Sequence, residues 1–131
     1  MKTKSGAGLR EVVPLMYVEN LDTSAQYYCD VLGFEIAQKW ESDGKLAWCR
    51  LEHGQAAIML QQAEAEDGPA EGRGRGLTLS FICDVDTVRA DLIARGLSVG
   101  PPEVTFFGWK QQYLRDSDGY VLCFESPNAR K

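Results

Sequence analysis

Two apolar runs, Val12–Val18 and Leu77–Ile82, each lead into a polar Asn or Asp and then into a stretch with helical spacing. In the first stretch Leu21, Ala25, Tyr28 and Leu32 share a face; in the second Val85, Val88 and Leu92 do. Asn20 and Asp84 stand where an N-cap is needed, and Asp22 and Asp86 fall in the first turn, where the helix dipole favours an acid. Gly33 and Gly96 follow the periodic stretches and suit a left-handed C-cap. Three strand-like runs come after each helix. In the first half they are Phe34–Glu41, Lys45–Leu51 and Gln55–Gln61, with turns at Asp43-Gly44 and His53-Gly54. In the second half they are Val104–Phe107, Lys110–Leu114 and Tyr120–Glu125, with the breaker Gly100-Pro101-Pro102 before them and Asp118-Gly119 before the last.

The segments Val18–Thr23 and Ile82–Thr87 match at an offset of 64 residues. Each half reads βαβββ, so the chain is a duplicated module rather than a solenoid, which needs three or more units. The fold class is α+β: two βαβββ modules forming an open, curved-sheet barrel around a cleft. A flexible N-terminus over residues 1–10 precedes one domain over 11–126, and a tail covers 127–131. Within the domain, module one spans about 11–61, a linker 62–76, and module two about 77–126. The linker carries acids first and then Gly-Arg-Gly-Arg-Gly, without periodicity, and is expected to be mobile. That glycine-rich run precedes a strand rather than opening a helix, so it is not a phosphate loop.

A chain of 131 residues with 44% hydrophobic and 25% charged positions suits one soluble globule. The net charge of −5 comes with no basic patch, which argues against nucleic acid as a partner. An acidic surface biases encounters toward cations. No apolar stretch is long enough to span a membrane, and Met1–Arg10 has no apolar core like that of a secretory signal. A cytoplasmic location is therefore expected. There Cys29, Cys49, Cys83 and Cys123, which show no CxxC or zinc spacing, stay reduced and behave as small hydrophobes.

The run Val13-Pro14-Leu15-Met16-Tyr17-Val18-Glu19-Asn20-Leu21-Asp22, followed by Tyr27-Tyr28 and Val31-Leu32-Gly33-Phe34-Glu35, resembles the opening signature of the vicinal-oxygen-chelate superfamily. Phe107-Gly108 and Tyr113-Leu114-Arg115-Asp116-Ser117-Asp118-Gly119-Tyr120 resemble its closing signature, with Ser117 where the family usually has proline. The superfamily includes glyoxalase I, extradiol dioxygenases, fosfomycin-modifying enzymes and bleomycin-resistance proteins. The resemblance covers about residues 11–126 and implies curved sheets around a cleft, often completed in a homodimer. It also implies where a metal would sit. Members similar to glyoxalase I hold a divalent ion with His, Glu or Gln at one position on the first strand and one on the last strand of each module. Those positions fall on Val13, Met59, Leu77 and Cys123. Val and Leu cannot ligate, and Met and Cys are soft donors unsuited to this chemistry. No metal and no other cofactor are expected.

The lining of the cleft follows from strand alternation. Val13, Leu15 and Tyr17 share one face, and Leu77, Leu79 and Phe81 another. A two-residue turn at His53-Gly54 pairs Trp48 with Met59 on the cleft face. Trp40 stays open, because the loop at Ser42-Asp43-Gly44 has two or three residues and each choice flips its side. Phe107 and Trp109 add aromatic surface. The expected ligand-binding set is Val13, Leu15, Tyr17, Trp48, Met59, Leu77, Leu79, Phe107, Trp109 and Cys123, with Gln61, Gln111, Gln112 and Arg50 as polar anchors. His53, in a tight turn, reads as solvated. Acid–base candidates are Tyr17, Cys123 and Glu125.

Three readings follow. The first is a metal-free protein that sequesters a small aromatic or cationic compound, resembling bleomycin-resistance proteins and paired as a homodimer. The second is a glyoxalase-like isomerase or lyase with a divergent, non-metal mechanism. The third is a degenerate module used only for protein–protein contact, which predicts a cleft filled by its own side chains. The first is favoured, so enzyme activity is not the leading expectation.

Overall fold

A computed structural model of the protein describes residues 8–127. The expected N-terminal segment before residue 8 and the tail beyond 127 lie outside the described residues. In the first module β1 (Leu15–Val18) leads through α1 (Leu21–Asp30) to β2 (Glu35–Ser42), β3 (Lys45–His53) and β4 (Ala56–Gln62). In the second, β5 (Thr78–Ile82) leads through α2 (Val85–Ala94) to β6 (Glu103–Val104), β7 (Lys110–Arg115) and β8 (Val121–Ser126). The sheets are ordered β1-β4-β3-β2 and β5-β8-β7-β6, with β1 and β5 parallel to their neighbours and the other pairs antiparallel. The architecture is thus α+β with two open mixed sheets and no closed barrel.

Local chemistry sets the element ends. The side chain of Asn20 accepts from Thr23 N at 3.0 Å, and that of Asp84 from Thr87 N at 3.2 Å, so both expected caps form. In α1 the buried face is Leu21, Ser24, Ala25 and Tyr28; in α2 it is Val85 and Leu92. The β2–β3 turn has two residues, Asp43 and Gly44, both at positive φ (55° and 75°), as a hairpin turn of that type requires.

One core serves both modules. It joins Met16, Val18, Leu21, Tyr28, Leu51 and Leu60 of the first to Leu79, Leu92, Leu122 and Phe124 of the second. The polar part of this junction is the β7–β8 turn. Tyr28 Oη donates to Asp116 at 2.6 Å, and Tyr120 Oη donates to the Tyr17 carbonyl at 2.7 Å. Asp118 accepts from Glu19 N at 2.8 Å and from Ser24 Oγ at 3.2 Å. Asp116 also accepts the backbone N–H groups of Asp118 and Tyr120.

Two expectations need correction. The linker was expected to be mobile, yet it is docked. Arg73, only 10% exposed, pairs with Glu19 at 2.9 Å and approaches Asp118 at 3.9 Å. Gly74 packs so closely on Tyr120 that a Cβ would stand 2.6 Å from the ring. The second correction concerns the repeat. The 64-residue offset holds for the helices and for β4 against β8, but fails in β5. Leu15 pairs with Met59, whereas Ser80 pairs with Cys123. Ser80, not Leu79, is therefore the counterpart of Leu15. The cause is a connection shorter by one residue: Glu19 separates Val18 from its cap, while Cys83 runs directly into Asp84. Because strand side chains alternate, one missing residue moves every side chain of β5 to the other face.

Burial raises the folded-state pKa of Asp116, against the opposing effect of its hydrogen bonds from Tyr28, Tyr120 and Asp118. A carboxyl group raised in the folded state adds most to stability below its unfolded pKa, and that contribution is lost as pH rises through the folded value. Urea unfolding should therefore show the stability of Asp116→Asn relative to wild type increasing as pH climbs from about 4 to about 7. Asp116→Ala, which orphans the Tyr28 hydroxyl and two backbone donors, should cost roughly 2–3 kcal/mol near neutral pH.

Candidate functional site

The helix-side faces of both sheets are used up in the shared core, so the opposite faces lie toward solvent. On the first sheet this outer face is laid out by register. Leu15, Met59, Arg50 and Gln38 form one row; Tyr17, Gln61, Trp48 and Trp40 form the next. The alternation is clear in burial: Met16 and Val18 are enclosed, while Leu15 is 40% exposed. The β3–β4 turn lies one residue later than expected, at Gly54 and Gln55, because His53 pairs with Ala56. Trp48 therefore stands opposite Gln61 and Arg50 opposite Met59. That is a shift of two places in pairing, so Trp48 and Met59 keep a common face.

The open question at Trp40 is answered by a bulge. Ser42 pairs with Lys45 across a two-residue turn, which alone would set Trp40 opposite Ala47. The register then shifts by one, and Trp40 pairs directly with Trp48. Trp40 thus joins the outer aromatic face and is 65% exposed. Arg50 is anchored there by Glu52 at 2.7 Å and Glu11 at 3.3 Å.

On the second sheet the outer face carries Thr78, Ser80 and Ile82 of β5, Val121, Cys123 and Glu125 of β8, and Gln111 and Tyr113 of β7. Leu79 lies on the core side and is 8% exposed, contrary to its expected place in the lining; Phe81 shares that side. Leu77 precedes β5 in the turn closed by its N–H to Gly74 O. Gln112, expected as an anchor, is also on the core side, with its Oε1 buried and unpartnered among the described residues. Gln111 does reach the outer face, where it donates to Glu125 Oε1 at 2.8 Å. Ser80 Oγ donates to the other Glu125 oxygen. Phe107 lies 58% exposed in the β6–β7 loop beside Phe106. Trp109 closes that loop, its N–H meeting Thr105 Oγ1 at 3.0 Å.

Sequence reasoning missed Ile82, Tyr113 and Phe106, all largely exposed on or beside this face. Ile82 and its neighbours were hidden by the one-residue change before α2. A comparison of the two caps with the apolar residue before each holds that signal.

The electrostatics separate the acid–base candidates. The Ser80 hydroxyl, helped by Gln111, holds the Glu125 carboxyl below its ordinary range, so Glu125 is a carboxylate near neutral pH. Burial, reinforced by the charge of Glu125, pushes the Cys123 thiol up to about 11. Tyr113 stands directly opposite it on β7. Tyr17 lies on the other sheet, and no hydrogen bond or ion pair among the described residues joins the two outer faces.

The metal implied by the fold family does not fit these residues. Strand register places Thr78, rather than Leu77, at the position matching Val13, since Thr78 pairs with Val121 of β8. The four positions then carry Val13, Met59, Thr78 and Cys123. They offer no imidazole or carboxylate, and the Cys123 thiol is protonated near neutral pH. Among the described residues no three His, Cys, Asp or Glu side chains are grouped to hold a metal. No helix of the described residues is long and apolar enough to cross a membrane.

Comparison with known proteins agrees with this architecture. The family model for the Glyoxalase/Bleomycin resistance protein/Dioxygenase superfamily matches residues 10–124. Among solved structures the chain is similar to a bleomycin-binding protein complexed with bleomycin, at 16% identity and a TM-score of 0.70, covering 90% of this chain and 98% of that one. It is similar to TioX from Micromonospora sp. ML1, at 19% identity and a TM-score of 0.65, covering 89% and 95%. A protein of unknown function from Agrobacterium tumefaciens str. C58 is 25% identical with a TM-score of 0.66, covering 91% and 94%. No curated protein matches the sequence.

Thiol reactivity tests the electrostatic assignment. With iodoacetamide near pH 8 and peptide mapping, Cys49 and Cys123, both buried with pKa values pushed up to about 11, should alkylate at least roughly tenfold more slowly than the half-buried Cys29. Fast alkylation of Cys123 would show an activated thiolate instead.

Proposed function

The chain belongs to the Glyoxalase/Bleomycin resistance protein/Dioxygenase superfamily, and from that premise we propose that it binds and sequesters a small planar aromatic or cationic compound without a metal. The observation that carries this reading is the aromatic face of the first sheet: Tyr17, Trp40, Trp48 and Met59 together, Trp40 exposed and the others half-buried. The second sheet contributes a fixed carboxylate, Glu125, bordered by Tyr113 and Ile82. Aromatic faces with one placed charge are the makings of a site for a flat cation.

Each of these faces is a half-cleft. In the proposal a second copy of the chain brings the outer face of its second module over the first module of this one, giving a homodimer with two clefts. Dimerisation would cover Leu15, Trp40, Ile82 and Tyr113, which a lone chain leaves at 40–65% exposure. The domain over residues 11–126 would act in the cytoplasm, where its thiols stay reduced. A neighbour of the same fold is a bleomycin-binding protein, which supports a binding role at the level of the fold.

The isomerase or lyase reading finds a candidate base in Glu125, but its surroundings work against that role. A general base is most effective with a pKa near the working pH, and Ser80 and Gln111 move Glu125 the other way. Cys123 is displaced in the direction that suppresses a thiolate. Both groups suit recognition better than proton transfer.

Sedimentation and titration test the proposal together. The protein should sediment as a dimer, and bleomycin or the planar cation proflavine should quench tryptophan fluorescence and raise Tm. Trp48→Ala should abolish the quench, and Glu125→Gln should weaken proflavine binding about tenfold. A monomer unresponsive to both probes at saturation overturns the reading. One stoichiometric divalent ion per chain in protein purified without chelator would restore a metal enzyme.

A further inference from the structure

We propose that the groove between the two modules, on the core side of the second sheet, is a separate ligand site for a planar aromatic carboxylate. It is a cavity of about 450 Å³, within the size range of small-molecule sites. Three phenylalanines form its wall. Phe81 and Phe124 stack at 5.3 Å with 22° between their planes, and Phe34 meets Phe81 edge-on at 5.9 Å. Val88 and Leu92 of α2 also line it. This interior suits a flat apolar body, which gains aromatic contact as well as burial.

The head-group position is set at the rim by Arg95. Its Nε donates to Asp91 at 2.8 Å and its Nη1 to the Asp30 carbonyl at 3.2 Å, so the guanidinium is held in one orientation. Its Nη2 makes no hydrogen bond to the described residues. That nitrogen lies 3.3 Å from the point a Cβ on Gly33 would occupy, and His53 Nε2 lies 3.4 Å from the same point. Gly33, with its φ of 84° and no side chain, lets the Arg95 guanidinium and the His53 ring pack against its backbone, which brings both side chains to the rim of the cavity. A carboxylate at that rim, on the cavity side of the two groups, accepts a charge-assisted bond from Arg95 and a second bond from His53. Asp91 and the Asp30 carbonyl offset part of the guanidinium charge, so hydrogen bonding rather than net charge gives the preference.

This site does not rest on the sequestering role. Phe81 and Phe124 face away from the Glu125 side of the sheet, and Ile82, at the end of β5, borders both regions. The test is calorimetry with amide chemical-shift mapping, using 2-naphthylacetate and its uncharged partner 2-naphthylacetamide. The acid should bind roughly fivefold or more tightly than the amide, with shifts centred on Phe34, Val88 and Arg95. Arg95→Met, which keeps the stem and removes the fork, should erase the preference while the amide binds as before. Val88→Trp should fill the cavity and erase the shifts at Phe34 and Arg95 for both compounds, with circular dichroism confirming the fold. Trp48→Ala, on the outer face, should leave the groove shifts as they are. Equal binding of acid and amide in the groove, an unaltered preference in Arg95→Met, loss of the groove shifts in Trp48→Ala, or no groove shifts at about 1 mM overturns the proposal.

Discussion

The Tyr28 hydroxyl meets the Asp116 carboxylate at 2.6 Å inside the protein, across 88 positions of sequence. Around it Asp118 holds the start of α1, and Tyr120 holds the end of β1. These contacts decide which faces of the two sheets belong to the core. Once the β7–β8 turn is seated on the first module, the helix-side faces must share one interior and the other faces must remain outside. A buried carboxylate is costly unless its hydrogen bonds are complete, and here three donors from two modules supply them. The linker follows the same constraint: Arg73 reaches Glu19 and Asp118 together, and Gly74 packs closely against the Tyr120 ring.

From that geometry the candidate site inherits its incompleteness. Trp40, Trp48, Tyr17 and Met59 form an apolar surface that the single chain covers only in part, Trp40 being exposed and the other three half-buried, while Ile82 and Tyr113 of the second sheet are exposed. The reading of a module whose cleft is filled by its own side chains does not describe these faces. They are shaped as walls without an opposite wall.

The sequence was most readable where local chemistry acts alone. Both caps, both helix faces and the Asp43-Gly44 turn follow from residue types at fixed spacing. The first sheet's outer face followed too, because the β3–β4 turn moved the pairing by two places and left the alternation intact. Reading failed where a single residue changes parity. The shorter connection at Cys83-Asp84 put Leu79 in the core and Thr78, Ser80 and Ile82 outside. The bulge before Glu41 decided Trp40 in a way the turn length could not. Gln112 was misplaced for a different reason: a glutamine on a strand reads as an exposed anchor, and nothing local reveals that it is buried on the core side opposite Phe124. The docked linker was missed because glycine and arginine signal freedom until a partner such as Asp118 is brought close by the fold.

The parity change in β5 has a chemical consequence. Had the 64-residue offset held throughout, Leu79 and Phe81 would face outward, and the second sheet would offer a greasy wall matching the first. With the strand shifted by one, a serine takes the place opposite Cys123, and its hydroxyl is within reach of Glu125. That hydroxyl is the largest cause of the lowering of the Glu125 carboxyl below its ordinary range. One residue fewer therefore sets a serine beside the Glu125 carboxylate, which β8 presents on that face in either register. It also frees Phe81 to stack on Phe124 across the core side, forming the aromatic wall of the inter-module cavity. The two candidate sites are thus opposite faces of the same event, and the duplicated module owes its asymmetry in chemistry to the length of one strand-to-helix connection.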